Sequence, residues 1–233
     1  MQIACHEDTV PLEKLYEYCR KARAVMQGKF GVGRIIARPF KGEVGAFYRT
    51  ANRHDFSLVP PNDNALEILK RQGFDVVSIG KINDIFAGSG ITKSLPSNGN
   101  SEGLEKLLEV QKTSFKGLCF LNLCDFDMLY GHRNDIDGYA KALAEADKKI
   151  GEFVDGMQAE DLLIITADHG CDPLSESTDH SRENVPCLIY FNGCKSENFG
   201  TKSGFNHVFA TVLNVMNVTD VENVQLLKKF SLI

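Results

Sequence analysis

No run of basic residues longer than two occurs in the 233-residue chain, and acidic residues outnumber basic ones, 31 to 26. Nucleic-acid binding, which needs clustered cations against the phosphate backbone, has little to rest on. No apolar segment approaches the roughly 20 residues that span a bilayer. The opening MQIACHEDTVPLEK is acidic where a secretory signal needs basic residues followed by an apolar run. A cytoplasmic protein with no membrane partner is expected. The seven cysteines include no CxxC pair, which leaves disulfide or thiolate frameworks without a basis. Cys5, Cys19, Cys119, Cys124 and Cys187 stand in apolar or helical contexts, where a reduced thiol packs as a small hydrophobe. Cys171, directly after Asp-His-Gly, is the exception.

What is present is a 43% hydrophobic composition, enough for one large domain or a domain with an appendage. Apolar runs bounded by turn residues recur at 34–37, 75–79, 117–123, 162–166 and 187–191. Helix-period segments lie between them, among them LEKLYEYCRKARAVM, ALEILKRQG, GLEKLLEVQKT and FNHVFATVLNVM. In DIDGYAKALAEADKKIGEFVDGM, the residues Ile136, Tyr139, Leu143, Ala146, Ile150 and Phe153 recur at three- and four-residue steps and predict one buried helix face. Strands alternating with helices predict an α/β fold with a largely parallel sheet between helices. Residues 40–63 hold no lasting period and read as a connection between domains, with a boundary near residue 57. PSNGNSEG reads as a loop.

In parallel α/β sheets, chemistry collects at the carboxyl ends of strands. Three stretches put carboxylates and imidazoles there or in the following loops: DFDMLYGH (Asp125, Asp127, His132), ADHG (Asp168, His169) and TDH (Asp179, His180). Taken singly, each Asp could be a cap or turn residue and each His a satisfied polar group. Taken together, a carboxylate and imidazole set without thiolates suits a divalent ion such as Mn²⁺, Zn²⁺, Co²⁺ or Mg²⁺. The GSG at Gly88–Gly90 reads as a glycine turn and the NRHD around His54 and Asp55 as linker packing.

The blocks GRIIARPF, YRTANRHDFSL, IGKINDIFAGSGIT, NLCDFDMLYGHRNDIDGYAKAL, DLLIITADHGCDP and TDHSRENVP resemble, in order, the signature blocks of phosphopentomutases, within the alkaline phosphatase superfamily. The resemblance covers about residues 2–192. It implies an alkaline-phosphatase-like α/β/α sandwich core, partial here (58–233), with the remnant of a small α/β cap domain (1–57). It also implies two-metal isomerisation of (deoxy)ribose 1-phosphate and (deoxy)ribose 5-phosphate, with two Mn²⁺ as cofactors. Carried over by block, Asp127, His132 and His180 match ligands of one ion, and Asp168 and His169 those of the other. Asp179 is then a turn or supporting residue, and Arg34, Arg49 and Lys81 match sugar-phosphate contacts.

The ligand count is short for the second ion. The family completes it with an Asp near its N-terminus and with a threonine nucleophile, which match nothing in this chain. Thr92, Thr166 and Thr178 stand in blocks where the family places no nucleophile, so no catalytic nucleophile is assigned. The chain is therefore expected to be the carboxyl-terminal part of such an enzyme, either from a truncated gene or as one half of a split enzyme completed by an N-terminal partner chain. The alternatives are a non-catalytic metal- and sugar-phosphate-binding remnant, or another metal-dependent phosphomutase or phosphatase of the superfamily. The final NVTDVENVQLLKKFSLI is expected to depart from the family pattern.

Overall fold

The computed structural model describes residues 1–60, 64–218 and 231–232. Most of the divergent carboxyl-terminal segment, residues 219–230 and 233, lies outside the described residues. The chain divides into two compact units, one of Met1–Pro61 with Asp84–Ser89 and the other of Asn62–Asn83 with Gly90–Ile233.

In the first unit, β1 (Gln2–His6), helix α1 (Leu12–Val25) and β2 (Arg34–Lys41) form a parallel βαβ crossover, with Gln2 opposite Ile36 and His6 opposite Phe40. The short strands β3 (Tyr48–Arg49) and β4 (His54–Ser57) pair antiparallel with the far side of β2. Residues opposite one another across a ladder share a face. One face, with Ile3, Cys5, Ile35, Ala37 and Phe56, packs on Leu15 and Cys19 of α1. Each of the larger side chains buried there contributes on the order of 1.5–3 kcal/mol. The other face carries Gln2, Ala4, Arg34, Arg38, Phe40 and Arg49.

The expected connection over 40–63 is thus corrected: β2 runs on to Lys41, and two further strands follow. Their pairing comes from β2 rather than from local pattern. A two-residue strand and the half-polar HDFS offer no alternation to read.

The second unit begins with α2 (Ala65–Arg71), capped by Asn64, whose Oδ1 accepts from Leu66 N at 3.0 Å and Glu67 N at 3.2 Å. Next come β5 (Asp75–Ile79), the turn-length α3 (Ile82–Ile85), β6 (Lys93–Leu95), α4 (Asn100–Gln111) and β7 (Gly117–Leu121). They form a parallel sheet in the order β6-β5-β7. Val76, Ser78 and Ile79 of central β5 are fully buried, as a strand covered on both faces requires. Gly90, at φ +73°, lies where a Cβ would come 2.3 Å from the Leu66 carbonyl carbon, so this glycine serves packing against α2.

Helix α5 (Ile136–Asp155) follows, then β8 (Leu162–Thr166), β9 (Cys187–Phe191) and α6 (Asn206–Val215). β8 and β9 pair antiparallel as a two-stranded sheet, Leu162 opposite Phe191, so the largely parallel sheet holds for only part of the α/β fold. No helix intervenes between these two strands to turn the chain through a parallel crossover. The expected buried face of α5 is also rotated. Ala142 and Ala146 are its buried residues, with Tyr139, Ile150 and Phe153 partly buried, whereas Ile136 and Leu143 are 47% and 57% exposed. Small alanines at the contact line let α5 pack closely on α4. Among the described residues no helix is long and apolar enough to cross a membrane.

Candidate metal centre

The loop after β7 is fixed before it reaches any ligand. Asp125 accepts from the backbone N of Asn100 at 2.7 Å, while Asn100 Oδ1 accepts from Asp125 N at 3.0 Å. Asp125 therefore fastens the β7 loop to the first turn of α4, and its carboxylate is occupied. A π-helical turn, Phe126–Tyr130, and a 3₁₀ turn, Gly131–Arg133, follow and carry Asp127 and His132. π turns recur at functional sites because the extra residue re-aims side chains.

The loop after β8 comes close at Gly131, where a Cβ would meet Cys171 Sγ at 2.2 Å and Phe126 O at 2.9 Å. Only glycine fits between them. Asn134 Nδ2 donates to Ser175 O at 2.7 Å, a second tie between the loops. An isolated bridge, with Ser181 N donating to Gly170 O at 3.0 Å, folds the β8 loop back so that His180 stacks on His169 with ring centroids 3.6 Å apart.

Asp127, His132 and His180 consequently converge, their ligand atoms all within 4.8 Å of one another. Asp127 Oδ1 is 3.1 Å from His132 Nε2 and 3.1 Å from His180 Nε2. Two donors about 2.1 Å from an ion and at right angles around it are about 3.0 Å apart. The spacing therefore suits a shared divalent cation.

Tautomers argue the same way. His132 Nδ1 lies 2.5 Å from the carbonyl of Thr178, which can only accept, so Nδ1 carries the proton. In the neutral ring, Nε2 then presents a lone pair to a carboxylate oxygen, a repulsive contact that a cation between them converts into two ligand bonds. His169 is oriented likewise, with Nδ1 donating to Gly170 O at 3.0 Å. Its Nε2 is 3.6 Å from Asp168 Oδ1, and the Asp168 side chain is 82% exposed. This pair offers two ligand groups and, among the described residues, belongs to no group of three.

The remaining candidates are placed as follows. Asp179 N donates to Ser177 Oγ at 3.1 Å within a turn, and its carboxylate is not part of the cluster. Thr92 clamps Val76 through both its N–H and its carbonyl, at 2.8 and 3.1 Å. Burial, and then the charges of Asp127, Glu183 and Asp172, push the Cys171 thiol up, away from a reactive thiolate. Lys81 Nζ meets Met128 Sδ, on the turn that carries Asp127. Arg34 and Arg49 lie in the other unit. Arg34 is paired with Asp55 at 3.6 Å, and Arg49 lines a cavity of about 330 Å³ with Gln2, Ala4, Arg38, Phe40, Phe47 and Tyr48. His54 packs edge-on against Phe56, with centroids 4.6 Å apart.

A carboxylate and two imidazoles brought together on strand-end loops are what a metal-dependent enzyme needs, and comparison with known proteins agrees. The family model described as Metalloenzyme superfamily matches residues 21–220. The chain belongs to that superfamily. Over 93% of its length it is 55% identical to the phosphopentomutase of Lachnoclostridium phytofermentans, and over 94% it is 51% identical to that of Acetivibrio thermocellus. It spans 56% of each of these relatives, about half the length of the curated proteins it matches. A solved structure, that of the PH0037 protein from Pyrococcus horikoshii, shares the fold with a TM-score of 0.56 at 16% identity, covering 89% of this chain and 65% of that one. For this member of the superfamily, Gly131, Asn100 and the Thr178 carbonyl are supports that sequence reading missed. Only the glycine beside a ligand block left a trace that could have been followed.

Proposed function

We propose that the chain carries the metal-binding and sugar-phosphate-binding part of a phosphopentomutase, which interconverts the 1- and 5-phosphates of ribose and deoxyribose. The observation that carries this is the Asp127–His132–His180 cluster, with one carboxylate oxygen 3.1 Å from two imidazole nitrogens. Half-identical relatives named phosphopentomutase support it. Asp127, His132 and His180 would hold one Mn²⁺. Asp168 and His169 would hold part of the shell of a second. When bound, such a pair of ions neutralises charge on the transferring phosphoryl group. Arg34, Arg49 and Lys81 bind and orient the sugar phosphate; the guanidinium fork suits phosphate geometry. Residues 1–57 are read as a partial cap and 58–233 as the later part of the core, in a cytoplasmic enzyme of nucleoside catabolism.

A second reading has its own observation. With Asp168 exposed and only two ligand groups at the second position, the chain alone would bind metal and pentose phosphate without turnover. In the first reading an N-terminal partner chain would supply the missing ligands; in the second none does.

The test is conversion of ribose 1-phosphate to ribose 5-phosphate with Mn²⁺ and a bisphosphate primer. It is run with the chain alone and with the amino-terminal segment of the Lachnoclostridium relative added. Turnover that appears on addition, and is lost in Asp127→Ala, supports the mutase. Binding without turnover in both arms supports the second reading. Neither turnover nor pentose-phosphate binding would defeat both.

A further inference from the structure

Lys81 and the turn that carries Asp127 meet at the carboxyl ends of neighbouring strands. β5 and β7 run parallel, with Ile79 opposite Leu121. Asn122 N donates to Ile79 O at 3.2 Å. At Gly80, with φ +76°, a Cβ would come 2.8 Å from Asn122 O. Glycine therefore lets the chain leave β5 directly beside the loop that leads to Asp127. Lys81 follows at once, and its Nζ meets Met128 Sδ. Among the described residues Lys81 has no other hydrogen bond and no ion pair.

Met128 is held at both ends of its backbone. Its N–H donates to Cys124 O at 3.0 Å, and its carbonyl accepts from Arg133 Nη1. Arg133 directly follows His132, so this tie spans the stretch that carries Asp127 and His132. The side chain is 40% exposed, which sets it apart from a core methionine. Nor does a soft thioether suit the ion that a carboxylate and two imidazoles would hold, Mn²⁺ in the reading above. What the side chain does offer is its contact with Lys81.

A thioether is a weak acceptor, and an ammonium carries three donors. A carboxylate in the same place would neutralise Lys81 and compete with an incoming phosphate. Sulfur takes one N–H, restrains the four-carbon stem, and leaves the charge and two donors for phosphate oxygens. A stem ordered beforehand loses less rotamer freedom when the ligand arrives.

We infer that Met128 is a positioning residue for the sugar phosphate: its sulfur holds the Lys81 ammonium against the turn that carries Asp127, so that the phosphate-binding cation and the metal ligands keep a fixed separation. The inference rests on the reading of Lys81 as a sugar-phosphate contact and adds to it a residue which that reading does not use.

The test is a double-mutant cycle on the full chain, read by calorimetric titration with ribose 5-phosphate in the presence of Mn²⁺. Lys81→Gln should weaken binding about tenfold, and Met128→Leu, which keeps the volume and removes the acceptor, about threefold to fivefold. The double variant should bind within about twofold of Lys81→Gln, because Met128 acts only through Lys81. Met128→Gln, which restores an acceptor on a stem of similar length, should bind within about twofold of wild type. Mn²⁺ affinity, read by electron paramagnetic resonance, should be the same in wild type and in both Met128 variants.

Wild-type affinity in Met128→Leu, with Lys81→Gln impaired, overturns the role of Met128 and leaves Lys81 as a sugar-phosphate contact. Additive losses in the double variant overturn it too, since Met128 would then act by a route other than Lys81. A parallel fall in Mn²⁺ affinity in Met128→Leu also overturns it, because the residue would then hold the turn rather than the ammonium. Wild-type affinity in Lys81→Gln defeats both the inference and that contact, and a wild-type chain that binds no ribose 5-phosphate defeats the pentose-phosphate reading with them.

Discussion

Glu7, directly after β1 of the first unit, and Asp127, on the π turn of the second unit, are both carboxylates surrounded by polar atoms. They differ in what those atoms offer. Glu7 Oε1 accepts from Thr50 Oγ1 at 2.5 Å and Asn52 Nδ2 at 2.9 Å, and Lys41 Nζ is 3.7 Å from Oε2. Every neighbour is a donor, and the carboxylate is satisfied by the protein alone. Asp127 Oδ1 instead faces two imidazole nitrogens, of which His132 Nε2 is the unprotonated one in the neutral ring. The difference separates a structural carboxylate from a ligand: proximity of polar atoms is common to both, and donor-acceptor balance is not.

The comparison breaks first at the metal. Asp127→Ala should weaken Mn²⁺ binding by on the order of a hundredfold or more, since it removes the group that both imidazoles face. Glu7→Ala should leave it unchanged. Free Mn²⁺ measured by electron paramagnetic resonance reads both, and equal affinities in the two variants would erase the distinction. Stability gives the same contrast. Mn²⁺ at a hundred times its Kd should stabilise the wild-type chain by about 2.7 kcal/mol and Asp127→Ala by close to nothing. A thermal shift that persists in the variant would place the ion elsewhere.

A smaller effect separates the two Asp-His loops. His169→Ala removes a ring stacked on His180 at 3.6 Å but none of the three converging ligand atoms. First-ion affinity should fall less than about tenfold, below the roughly 10–100-fold typical of a partner that hydrogen-bonds a ligand, because His169 only stacks on the ring. A loss as large as that of His180→Ala would make His169 a ligand of the same ion. Gly131→Ala tests what holds the loops together. The added Cβ would overlap Cys171 Sγ, and a destabilisation of about 1–3 kcal/mol is expected. Cys171→Ala should recover part of it in a denaturant unfolding series; no recovery would mean that Phe126 O, not the thiol, sets the constraint.

How far these features could be read from the sequence depends on where their cause lies. β5, β8 and β9 fall on the apolar runs from which they were expected; for β5, a strand covered on both faces needs such a run, while β8 and β9 are only partly buried, with Leu188 and Tyr190 exposed. β3 and β4 leave no such run, since β2 pairs them. The period puts Leu143 on the buried face of α5, where the structure has Ala142. Which of two adjacent apolar residues faces a neighbouring helix depends on how closely that helix approaches, and the period alone does not say. At the candidate metal centre, the residue types and their strand-end positions were visible. The separation of Asp125 from Asp127 was not, because it comes from Asn100, 25 residues earlier in the chain.

The smallest expected effect concerns Glu7 itself. Hydrogen bonds from Thr50 and then Asn52, with the charge of Lys41 adding to them, hold its carboxyl below the ordinary value of 4.5. A folded-state pKa depressed relative to the unfolded chain means that, across this interval, the unfolded state binds more protons, so stability rises with pH there. The contribution is fully present above about pH 4.5 and is lost as pH falls through the lower folded value. Glu7→Gln should therefore flatten the acid limb of the unfolding midpoint plotted against pH, while leaving its neutral-pH Mn²⁺ response intact. Asp127→Asn should instead abolish the Mn²⁺ response. An acid limb that survives Glu7→Gln unchanged would show that Thr50 and Asn52 hold the β3–β4 segment without help from the charge, and the contrast between the two carboxylates would then rest on Asp127 alone.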